Sequence, residues 1–393
     1  MPAGVPRLRT QKLLLADGDP HVWREPAPGD EAGPVMILTL NAGSSSLKFA
    51  VFNGAAAVLR GEIDTGHAAI RTDTTEPWPY GIEADGLTRL LAWIDAHDGR
   101  APVSSVGHRV VHGGDRTGPA RVDAGLIAEL DALTPLAPLH QPHSLAAIRV
   151  LMGTHPHLPQ VACFDTSFHH TMDAVTTTLP LPAAWRVAGA RRYGFHGLSY
   201  AHVARQPGLN GRVIVAHLGS GASLCAMRDG RSVDTTMGMT ALDGVMMATR
   251  PGRLDPGVVL WLLQARGLDA AAIEDGLYHQ SGLLGVGGVA DLRALDPASL
   301  ARAMFVRSVV RETGALLAVL GGVDAFVFTG GIGEHQSSIR ADVGAALGWL
   351  GLSVDGRNDS YRPSMGLARI GASVWAIPAD EEAEIARQVR ALT

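Results

Sequence analysis

The chain has 393 residues, 46% of them hydrophobic, and a formal net charge of -5. This length allows roughly two or three domains, and the charge leaves no basic footprint for nucleic acid or an anionic membrane. Cys163 and Cys225 stand alone and far apart, which excludes a disulfide framework and a zinc finger. We find no export signal and no apolar run of the roughly 18 residues a membrane helix needs. We therefore expect a cytoplasmic protein that acts on small molecules.

Residues 1–35 are rich in Pro, Gly, Ala and acidic residues and lack a sustained hydrophobic period. Such composition predicts a loose leader. Met36 directly precedes the first strand-like run, so the leader is either a flexible native tail or the result of a start assigned too early.

A predicted hairpin follows, in which two strand-like runs between residues 37 and 52 flank a turn rich in Gly and Ser. The backbone N–H groups and hydroxyls of such a turn can hold an anion, and Lys48 adds a positive charge. Lys48 is one of two lysines among 33 basic residues, which favours a specific need for a compact ammonium group. A strand rather than a helix follows the turn, which excludes a Walker A loop. An ordinary hairpin with a polar turn is the alternative.

Residues 213–227 repeat this pattern around the turn Gly219-Ser220-Gly221-Ala222-Ser223. Each copy continues through a second turn into another short strand. Two such copies predict two similar domains that face a shared cleft.

Helices and short strands alternate along the rest of the chain. Apolar residues three and four apart predict helices over 87–96, 126–133, 144–152, 258–268, 301–320, 339–347 and 381–392. Short apolar runs predict strands over 103–111, 160–164 and 325–329. Asp380 is placed to cap the last helix. The pattern predicts a mixed α/β fold with a duplicated core.

A third glycine cluster, at 328–334, lies between a predicted strand and a predicted helix. Glycine permits close backbone approach and a helix N-terminus favours negative charge, so the turn suits a nucleotide. It lacks the dinucleotide fingerprint, because Gln336 stands where Gly or Ala is needed. A plain strand-to-helix turn is equally compatible with these residues.

Arg109 and Arg250 are embedded among apolar or small residues. A guanidinium in such surroundings needs an anionic partner, which is either a protein carboxylate or the phosphate or carboxylate of a substrate. The sequence leaves both possibilities open.

Asp165 directly follows a predicted strand, and His196 lies between two glycines. Asp165 could orient Mg²⁺ or substrate, and His196 could donate to a charged transition state. His169 and His170 could form a metal site with Asp165, but adjacent residues of an extended segment point to opposite faces, which disfavours that site.

Nine segments, in this order, resemble the acetate kinase family. They are N-A-G-S-S-S-L-K (41–48), H-R-V-V-H-G-G (108–114), F-D-T-S-F-H (164–169), R-R-Y-G-F-H-G (191–197), H-L-G-S-G-A-S (217–223), D-T-T-M-G-M-T-A-L-D-G (234–244), T-R-P-G-R-L-D-P (249–256), S-G-L-L-G (281–285) and F-T-G-G-I-G-E (328–334).

The resemblance implies two duplicated actin-like α/β domains, related to the ribonuclease H fold, around a nucleotide cleft. We place the first domain at 36–169, joined by the C-terminal helix 382–393, and the second at 170–381. The resemblance also implies a homodimer that transfers phosphoryl groups reversibly between ATP and a short carboxylate, giving an acyl phosphate and ADP, with Mg²⁺ or Mn²⁺.

The resemblance further implies roles for particular residues. Arg109 and Arg250 would bind the acceptor carboxylate and the phosphoryl group, His196 would stabilise the transition state, and Asp165 would be the catalytic carboxylate. The acyl pocket would contain Val111, Leu139, Phe195 and Ala241. The nucleotide and its phosphates would contact Ser44, Ser46, Lys48, His140, His217, Gly219, Ser220, Gly221, Asp291, Arg293, Gly330, Gly331 and Gly333. Asn41 and Glu381 would hold the metal.

Several positions depart from the family pattern: Gln141, Leu198, Tyr200, Ser220, Ala241 and Arg253. Ala241 replaces a common proline, and the space gained could admit another methylene, so a propionate kinase is the close alternative. Two rivals remain: a non-catalytic actin-like ATP-binding protein, which the substitutions at 141, 198, 200 and 220 support, and a His/Asp metal hydrolase, which would require a tightly bound transition metal. Both arginines argue against the first, because a nucleotide switch needs no carboxylate clamp.

Overall fold

The computed structural model describes residues 36–42, 46–64, 67–81, 84–96 and 101–393. The expected leader, 1–35, and Ser44 in the first turn lie outside the described residues.

Eight strands form the first sheet, and its central strands are runs of mostly buried residues. They are β1 Met36–Ala42, β2 Ser46–Asn53, β3 Ala56–Asp64, β4 Ala69–Arg71, β5 Thr75–Pro77, β6 Val103–Val110, β7 Ala120–Arg121 and β8 Gln160–Phe164. Their order across the sheet is β5-β4-β3-β2-β1-β6-β8-β7. The pairs β1/β2 and β2/β3 are antiparallel, whereas β1/β6 and β6/β8 are parallel.

The second sheet repeats this arrangement with six strands. They are β9 Arg212–Leu218, β10 Ala222–Arg228, β11 Arg231–Thr235, β12 Ala325–Thr329, β13 Ala368–Arg369 and β14 Val374–Ala376. The order is β11-β10-β9-β12-β14-β13, with β9/β10 and β10/β11 antiparallel and β9/β12 and β12/β14 parallel. Three antiparallel strands followed by two parallel ones occur in both sheets. The duplicated core predicted from the repeated hairpin is thereby confirmed.

The helices lie between and after these strands. They are α1 Ala84–Ala96, α2 Ala124–Ala132, α3 Gln141–Thr154, α4 Ala174–Thr177, α5 Ala183–Val187, α6 Gly197–Ala204, α7 Pro256–Ala265, α8 Ala270–His279, α9 Gly282–Gly287, α10 Leu300–Leu320, α11 Gly330–His335, α12 Ser337–Ala346, α13 Arg357–Ser360 and α14 Glu381–Arg390.

Predicted boundaries differ from the structure by a few residues. Helix α7 ends before the predicted position 268, because Gly267 adopts a left-handed φ of +67° just after the helix. Strand β6 ends at Val110 rather than 111, and α14 ends at Arg390 rather than 392. Asp380 caps α14 as predicted, accepting a hydrogen bond from the backbone N–H of Ala383.

Helices cover both faces of the first sheet. From β1, Leu38 and Leu40 pack with the apolar residues of α1 and α3, while Ile37 packs with Ile385 and Val389 of α14. Successive strand residues point to opposite faces, so the run of apolar residues in β1 serves two cores. Each buried Ile or Leu stabilises the fold by ~1.5–3 kcal/mol.

The second sheet is built in the same way. Ile214 and Ala216 of β9 pack with α10, and Val213 and Val215 pack with Tyr200 and Val203 of α6. Leu198, also in α6, packs with α14 against the first sheet. Helix α6 therefore contacts the cores of both sheets.

Gly107 on β6 explains how closely α14 approaches the first sheet. A Cβ atom at this position would collide with Ile385 of α14. Any larger residue would push the helix away from the strand, and with it Glu381 at the start of the helix.

The boundary predicted between residues 169 and 170 falls between the last strand of the first sheet and the first strand of the second. The exact domain limits remain a prediction. Within the described part of the chain, no helix is both long and apolar enough to cross a membrane.

Because histidines are buried in their neutral form, we expect the folded protein to lose stability in acid. His108 on β6 is buried, and one ring nitrogen lies 2.8 Å from Oε1 of Gln160. Burial lowers the pKa of His108 to about 4, although the Gln160 hydrogen bond opposes the shift. Because the folded-state pKa lies below the unfolded value, this contribution to stability is complete above about pH 6.5 and is lost as the pH falls toward 4.

We expect the linked protonation of His108 to lower the free energy of unfolding by about 2 kcal/mol between pH 6.5 and pH 5, at about 1.4 kcal/mol per pH unit. Urea unfolding of the wild type and of His108→Gln at both pH values measures this share. The variant should lose less stability on acidification than the wild type does. An identical loss in both proteins would contradict the prediction.

Candidate active site

A cavity of about 590 Å³ is lined by residues of both sheets. The two hairpins, the third glycine cluster and the start of α14 meet there. The lining residues are Asn41, Ser46, Lys48, Arg109, His140, His196, His217, Gly219, Ser220, Gly221, Arg250, Gly330, Gly331, Glu334, His335, Ala379, Glu381 and Glu382. Polar side chains and glycines dominate, so the cavity suits a charged, polar ligand.

Arg109, at the end of β6, is paired with a protein carboxylate. Its Nη2 lies 2.7 Å from Oδ2 of Asp165, its Nε donates to the same carboxylate, and its Nη1 donates to Oδ1 of Asn41 at 3.1 Å. Burial lowers the pKa of Arg109, but the charges of Asp165 and Glu381 outweigh that effect and raise it. Burial also raises the pKa of Asp165, and Arg109 opposes that shift. Asp165 is fully buried and holds the guanidinium at the cavity wall.

Arg250 differs from Arg109 in the partners of its guanidinium group. Its Nη1 donates to the backbone oxygen of Ala241 at 2.9 Å, and among the described residues no carboxylate lies within ion-pair distance. Burial lowers its pKa. A Cβ atom at Gly221 would lie 2.8 Å from Nη2 of Arg250, so the guanidinium lies against the second glycine-rich turn. A half-buried guanidinium without a carboxylate partner in the described residues is suited to an anionic ligand.

Three of the histidines that line the cavity, His140, His196 and His217, have lowered pKa values, which favours the neutral imidazole at pH 7. The rings of His196 and His217 stack with centroids 4.3 Å apart. Burial is the main cause that lowers the pKa of His196 well below its usual value, that of His217 to about 4 and that of His140 to about 3. Neutral imidazoles can each donate one hydrogen bond to an anion without adding charge.

His196 occupies a strained position at the start of α6. Its φ of +57° is left-handed, which costs a non-glycine residue about 1–2 kcal/mol. The next residue fixes the turn, because the N–H of Gly197 donates to the backbone oxygen of Asp165 at 3.0 Å, and a Cβ at Gly197 would collide with that oxygen. The left-handed turn therefore places His196 at the cavity, next to the residue that bonds to Asp165.

The first hairpin contributes Asn41, Ser46 and Lys48 to the cavity. Asn41 on β1 pairs directly with Lys48 on β2. Lys48 is exposed and, within the described ranges, makes no ion pair with a carboxylate. The ammonium group is therefore available to a phosphate.

Two carboxylates at the start of α14 offer oxygen ligands for a hard cation. Nδ2 of Asn41 donates to both, at 3.1 Å to Oε2 of Glu381 and 3.4 Å to Oε1 of Glu382. Burial and the neighbouring charge of Glu381 raise the pKa of Glu382. No cluster of three His, Cys, Asp or Glu ligands occurs in the described residues. One or two carboxylates with substrate phosphates are the usual set for Mg²⁺.

The two glycine-rich turns meet at one wall of the cavity. Gly330 has a φ of +76°, and a Cβ there would lie 2.8 Å from the backbone oxygen of Leu218, just before the second hairpin turn. Gly331 lines the cavity, whereas Gly333 is buried within α11 and is not part of the lining.

Asp291 and Arg293 are not brought to the cavity. They lie at an exposed turn and pair with each other, with Nη2 of Arg293 2.7 Å from Oδ2 of Asp291. Their assignment to the nucleotide therefore stays a prediction.

Three of the four residues predicted for the acyl pocket belong to the large apolar core of the second sheet or pack against it, and none of the four lines the cavity. Val111 and Phe195 are buried in one apolar cluster, and Ala241 packs against it. Leu139 is half-buried immediately before His140. Because Ala241 also accepts the hydrogen bond from Arg250, the apolar cluster and the unpaired cation adjoin each other.

The reason given for rejecting a metal site at His169 and His170 was wrong. The segment Ser167–Thr171 is a 3-10 turn rather than an extended strand. His169 is nevertheless committed elsewhere, because its two ring nitrogens bond to Ser232 Oγ at 2.8 Å and to the backbone oxygen of Phe195 at 2.9 Å.

The departures from the family pattern have structural partners. Gln141 accepts from the N–H of His112 and donates to the backbone oxygens of His112 and Leu130. Arg253 is exposed and lies 3.8 Å from Glu312. Of the remaining departures, Ser220 lines the cavity and Tyr200 contacts Ser223.

Sequence reasoning missed four residues that line the cavity: Glu334, His335, Ala379 and Glu382. Glu334 accepts from the N–H of Ala379 at 2.8 Å and so joins the third glycine cluster to the segment before α14. The glutamate was visible as the last residue of the segment 328–334, and Glu382 as the neighbour of Glu381.

Comparisons with known proteins identify the family of this chain. The sequence profile of the acetokinase family matches residues 36–387. The acetate kinase of Rhodopseudomonas palustris is 47% identical over 390 residues, which cover 90% of this chain and 97% of that protein. The acetate kinase of Rhizobium meliloti is 43% identical, with 91% and 98% covered.

Two solved structures share the fold. The acetate kinase of Porphyromonas gingivalis superposes with a TM-score of 0.80 at 31% identity, covering 91% of this chain and all (100%) of that one. A propionate kinase of Francisella tularensis superposes with a TM-score of 0.81 at 32% identity, covering 90% and 98%. The actin-like fold expected from the resemblance is confirmed. The chain belongs to the acetokinase family of phosphotransferases.

Proposed function

We propose that the protein is an acetate kinase, which transfers the γ-phosphoryl group of ATP reversibly to acetate and forms acetyl phosphate and ADP. The observation that carries this proposal is Arg250. Its half-buried guanidinium has no carboxylate partner among the described residues, its acceptor Ala241 packs against an apolar cluster, and it lines a cavity with two glycine-rich turns.

The reaction is a direct in-line displacement in this proposal. A carboxylate oxygen of acetate bonds to the γ-phosphorus while the bond from that phosphorus to the β–γ bridging oxygen breaks, and ADP leaves with the electron pair. A carboxylate is already ionised at pH 7, so no general base is needed. The protein must instead bring anions together and stabilise charge on the phosphoryl oxygens.

The cavity residues divide this work. Arg250 and Arg109 bind the acetate carboxylate and the phosphoryl oxygens, and Asp165 positions Arg109. Neutral His196 donates a hydrogen bond to the transferring group. Lys48, Ser46, His140 and His217 contact the phosphates, while the turns at Gly219–Gly221 and Gly330–Gly331 admit the nucleotide.

Mg²⁺ or Mn²⁺ fits beside the phosphates. Glu381 and Glu382 would hold the ion together with ATP, while Asn41 orients the two carboxylates through its Nδ2; the ion would neutralise phosphate charge when bound.

Propionate is the second candidate acceptor, favoured by the small side chain at Ala241. One methylene changes discrimination by only about 1–3 kcal/mol. An ATP-dependent acyl hydroxamate assay with acetate, propionate and butyrate tests both candidates through kcat/KM. Acetate or propionate should rank first; butyrate first would contradict the acyl pocket. No product from any acid would leave the non-catalytic actin-like ATP-binding protein as the better description.

We also propose that the protein is a cytoplasmic homodimer. Helix α7 has no buried residue, and its Leu260 and Trp261 are 54% and 53% exposed. Such an apolar helix is typical of a subunit interface, and a second copy of the chain is the occupant proposed. Both cysteines are buried and unpaired, as expected in a reducing compartment. Analytical ultracentrifugation tests the dimer through its mass.

A further inference from the structure

Two buried side chains, Tyr200 and Ser223, form a series of hydrogen bonds that ends at the half-buried His196. Nδ1 of His196 lies 2.8 Å from Oγ of Ser223, and that oxygen lies 2.5 Å from the hydroxyl oxygen of Tyr200. Tyr200 and Ser223 are both 0% exposed. Tyr200 is one of the positions where this chain departs from the family pattern.

The donors and acceptors in this series of hydrogen bonds can be counted. Ser223 Oγ carries one hydrogen and meets two partners, and the hydroxyl of Tyr200 has no other partner among the described residues. If Tyr200 donates to Ser223, then Ser223 donates to Nδ1 of His196, and every hydroxyl hydrogen is used. If the direction is reversed, the hydrogen of Tyr200 is buried without an acceptor, which is costly. The first arrangement is therefore preferred.

The preferred arrangement makes Nδ1 of His196 an acceptor, so the ring hydrogen must lie on Nε2. That nitrogen is on the cavity side. A Cβ atom at Gly221 would lie 3.4 Å from His196 Nε2 and 2.8 Å from Arg250 Nη2, so both nitrogens face the same glycine.

We propose that Tyr200 is a positioning residue: through Ser223 it holds His196 in the tautomer whose Nε2–H donates into the cavity beside Arg250. This inference rests on the proposed function for what the donor contacts, namely an oxygen of the transferring phosphoryl group. The assignment of the tautomer rests on the hydrogen-bond chain alone.

The neighbouring histidine provides an internal contrast. Nδ1 of His217 lies 2.8 Å from Oγ of Ser199, and no tyrosine stands behind that serine in the described structure. Ser199 can donate or accept without leaving a second hydroxyl unsatisfied. Of the two histidines, therefore, only His196 has hydrogen bonds whose direction is fixed by a tyrosine hydroxyl.

Tyr200→Phe tests the proposal, because it deletes the hydroxyl and keeps the ring that packs in the core. Tyr361→Phe is the control, since Tyr361 is also buried and its hydroxyl has no hydrogen-bond partner among the described residues. Ser223→Ala and the double variant complete a cycle. Near-ultraviolet circular dichroism reports folding, and ¹⁵N imidazole shifts, assigned by comparison with His196→Gln, report the tautomer.

We expect Nε2–H for His196 in the wild type and a loss of that preference in Tyr200→Phe. We expect kcat to fall about tenfold with little change in KM, which corresponds to about 1.4 kcal/mol, near the net value of one hydrogen bond. The double variant should lose no more than Ser223→Ala alone, because both act through one chain. Tyr361→Phe should match the wild type.

Other results would overturn the proposal. They are an Nδ1–H tautomer in the wild type, an unchanged tautomer in Tyr200→Phe whatever its kcat, or additive losses in the double variant. If the wild type forms no acyl phosphate from any acid, the proposed function fails, but the ¹⁵N shifts still decide whether Tyr200 sets the tautomer. The two failures are thus distinguishable.

Discussion

Replacing Arg250 by alanine is expected to lower kcat by about 10³-fold or more, the range found when a single arginine stabilises phosphoryl transfer. The reason is the absence of a protein anion beside this guanidinium in the described structure, so its charge is available to acetate and to the phosphoryl oxygens. Steady-state kinetics with ATP and acetate measures the loss.

The same variant should remain folded. Removing Arg250 leaves no carboxylate unpaired, and a buried charge without an ionic partner is itself unfavourable. We therefore expect the free energy of unfolding of Arg250→Ala to equal or exceed that of the wild type. Arg253→Ala is the matched control, because this exposed arginine lies three residues further on and 3.8 Å from Glu312. Near-normal turnover in Arg250→Ala would contradict the assigned role.

Replacing Asp165 by asparagine is expected to harm both stability and turnover. The asparagine keeps the shape of the side chain but removes the charge that Arg109 contacts at 2.7 Å. Breaking a buried ion pair from one side typically costs about 3–5 kcal/mol. Glu381, 3.6 Å from Nε of Arg109, still compensates part of the charge, so we expect a loss near the lower end of this range. We also expect a large fall in kcat, since Arg109 loses the group that orients it. Urea unfolding and steady-state kinetics measure the two effects.

An exposed pair of similar geometry serves as control for Asp165→Asn. Nη2 of Arg212 lies 2.7 Å from Oδ1 of Asp324, but the pair is exposed to solvent. Solvent screening makes such pairs weak. We therefore expect Asp324→Asn to lose much less stability than Asp165→Asn. Equal losses in the two variants would show that burial of the Arg109–Asp165 pair contributes nothing.

The elements that local patterning determines were predictable. The two hairpins follow from apolar runs on either side of Gly- and Ser-rich turns, and their repetition correctly indicated a duplicated core. The capping of α14 by Asp380 is equally local. Boundaries were less accurate, as at α7, where a left-handed glycine ends the helix early.

The sequence did not show which side chains pair with residues far along the chain. Arg109 and Arg250 looked alike among apolar neighbours, yet one is paired with Asp165 and the other has no carboxylate partner in the described residues. Which cation meets a carboxylate depends on how β6 and β8 are placed side by side, and no local pattern reports that distance. Likewise, Tyr200 and Gln141 were interpreted as departures that weaken the site, whereas in the structure each makes a hydrogen bond.

Phosphorus NMR of the purified wild-type protein with ATP, acetate and Mg²⁺ tests the proposed reaction most directly. We predict that acetyl phosphate and ADP appear together in equal amounts, and that ADP with acetyl phosphate regenerates ATP. Unchanged ATP, or ADP accompanied only by inorganic phosphate, would contradict phosphoryl transfer to acetate.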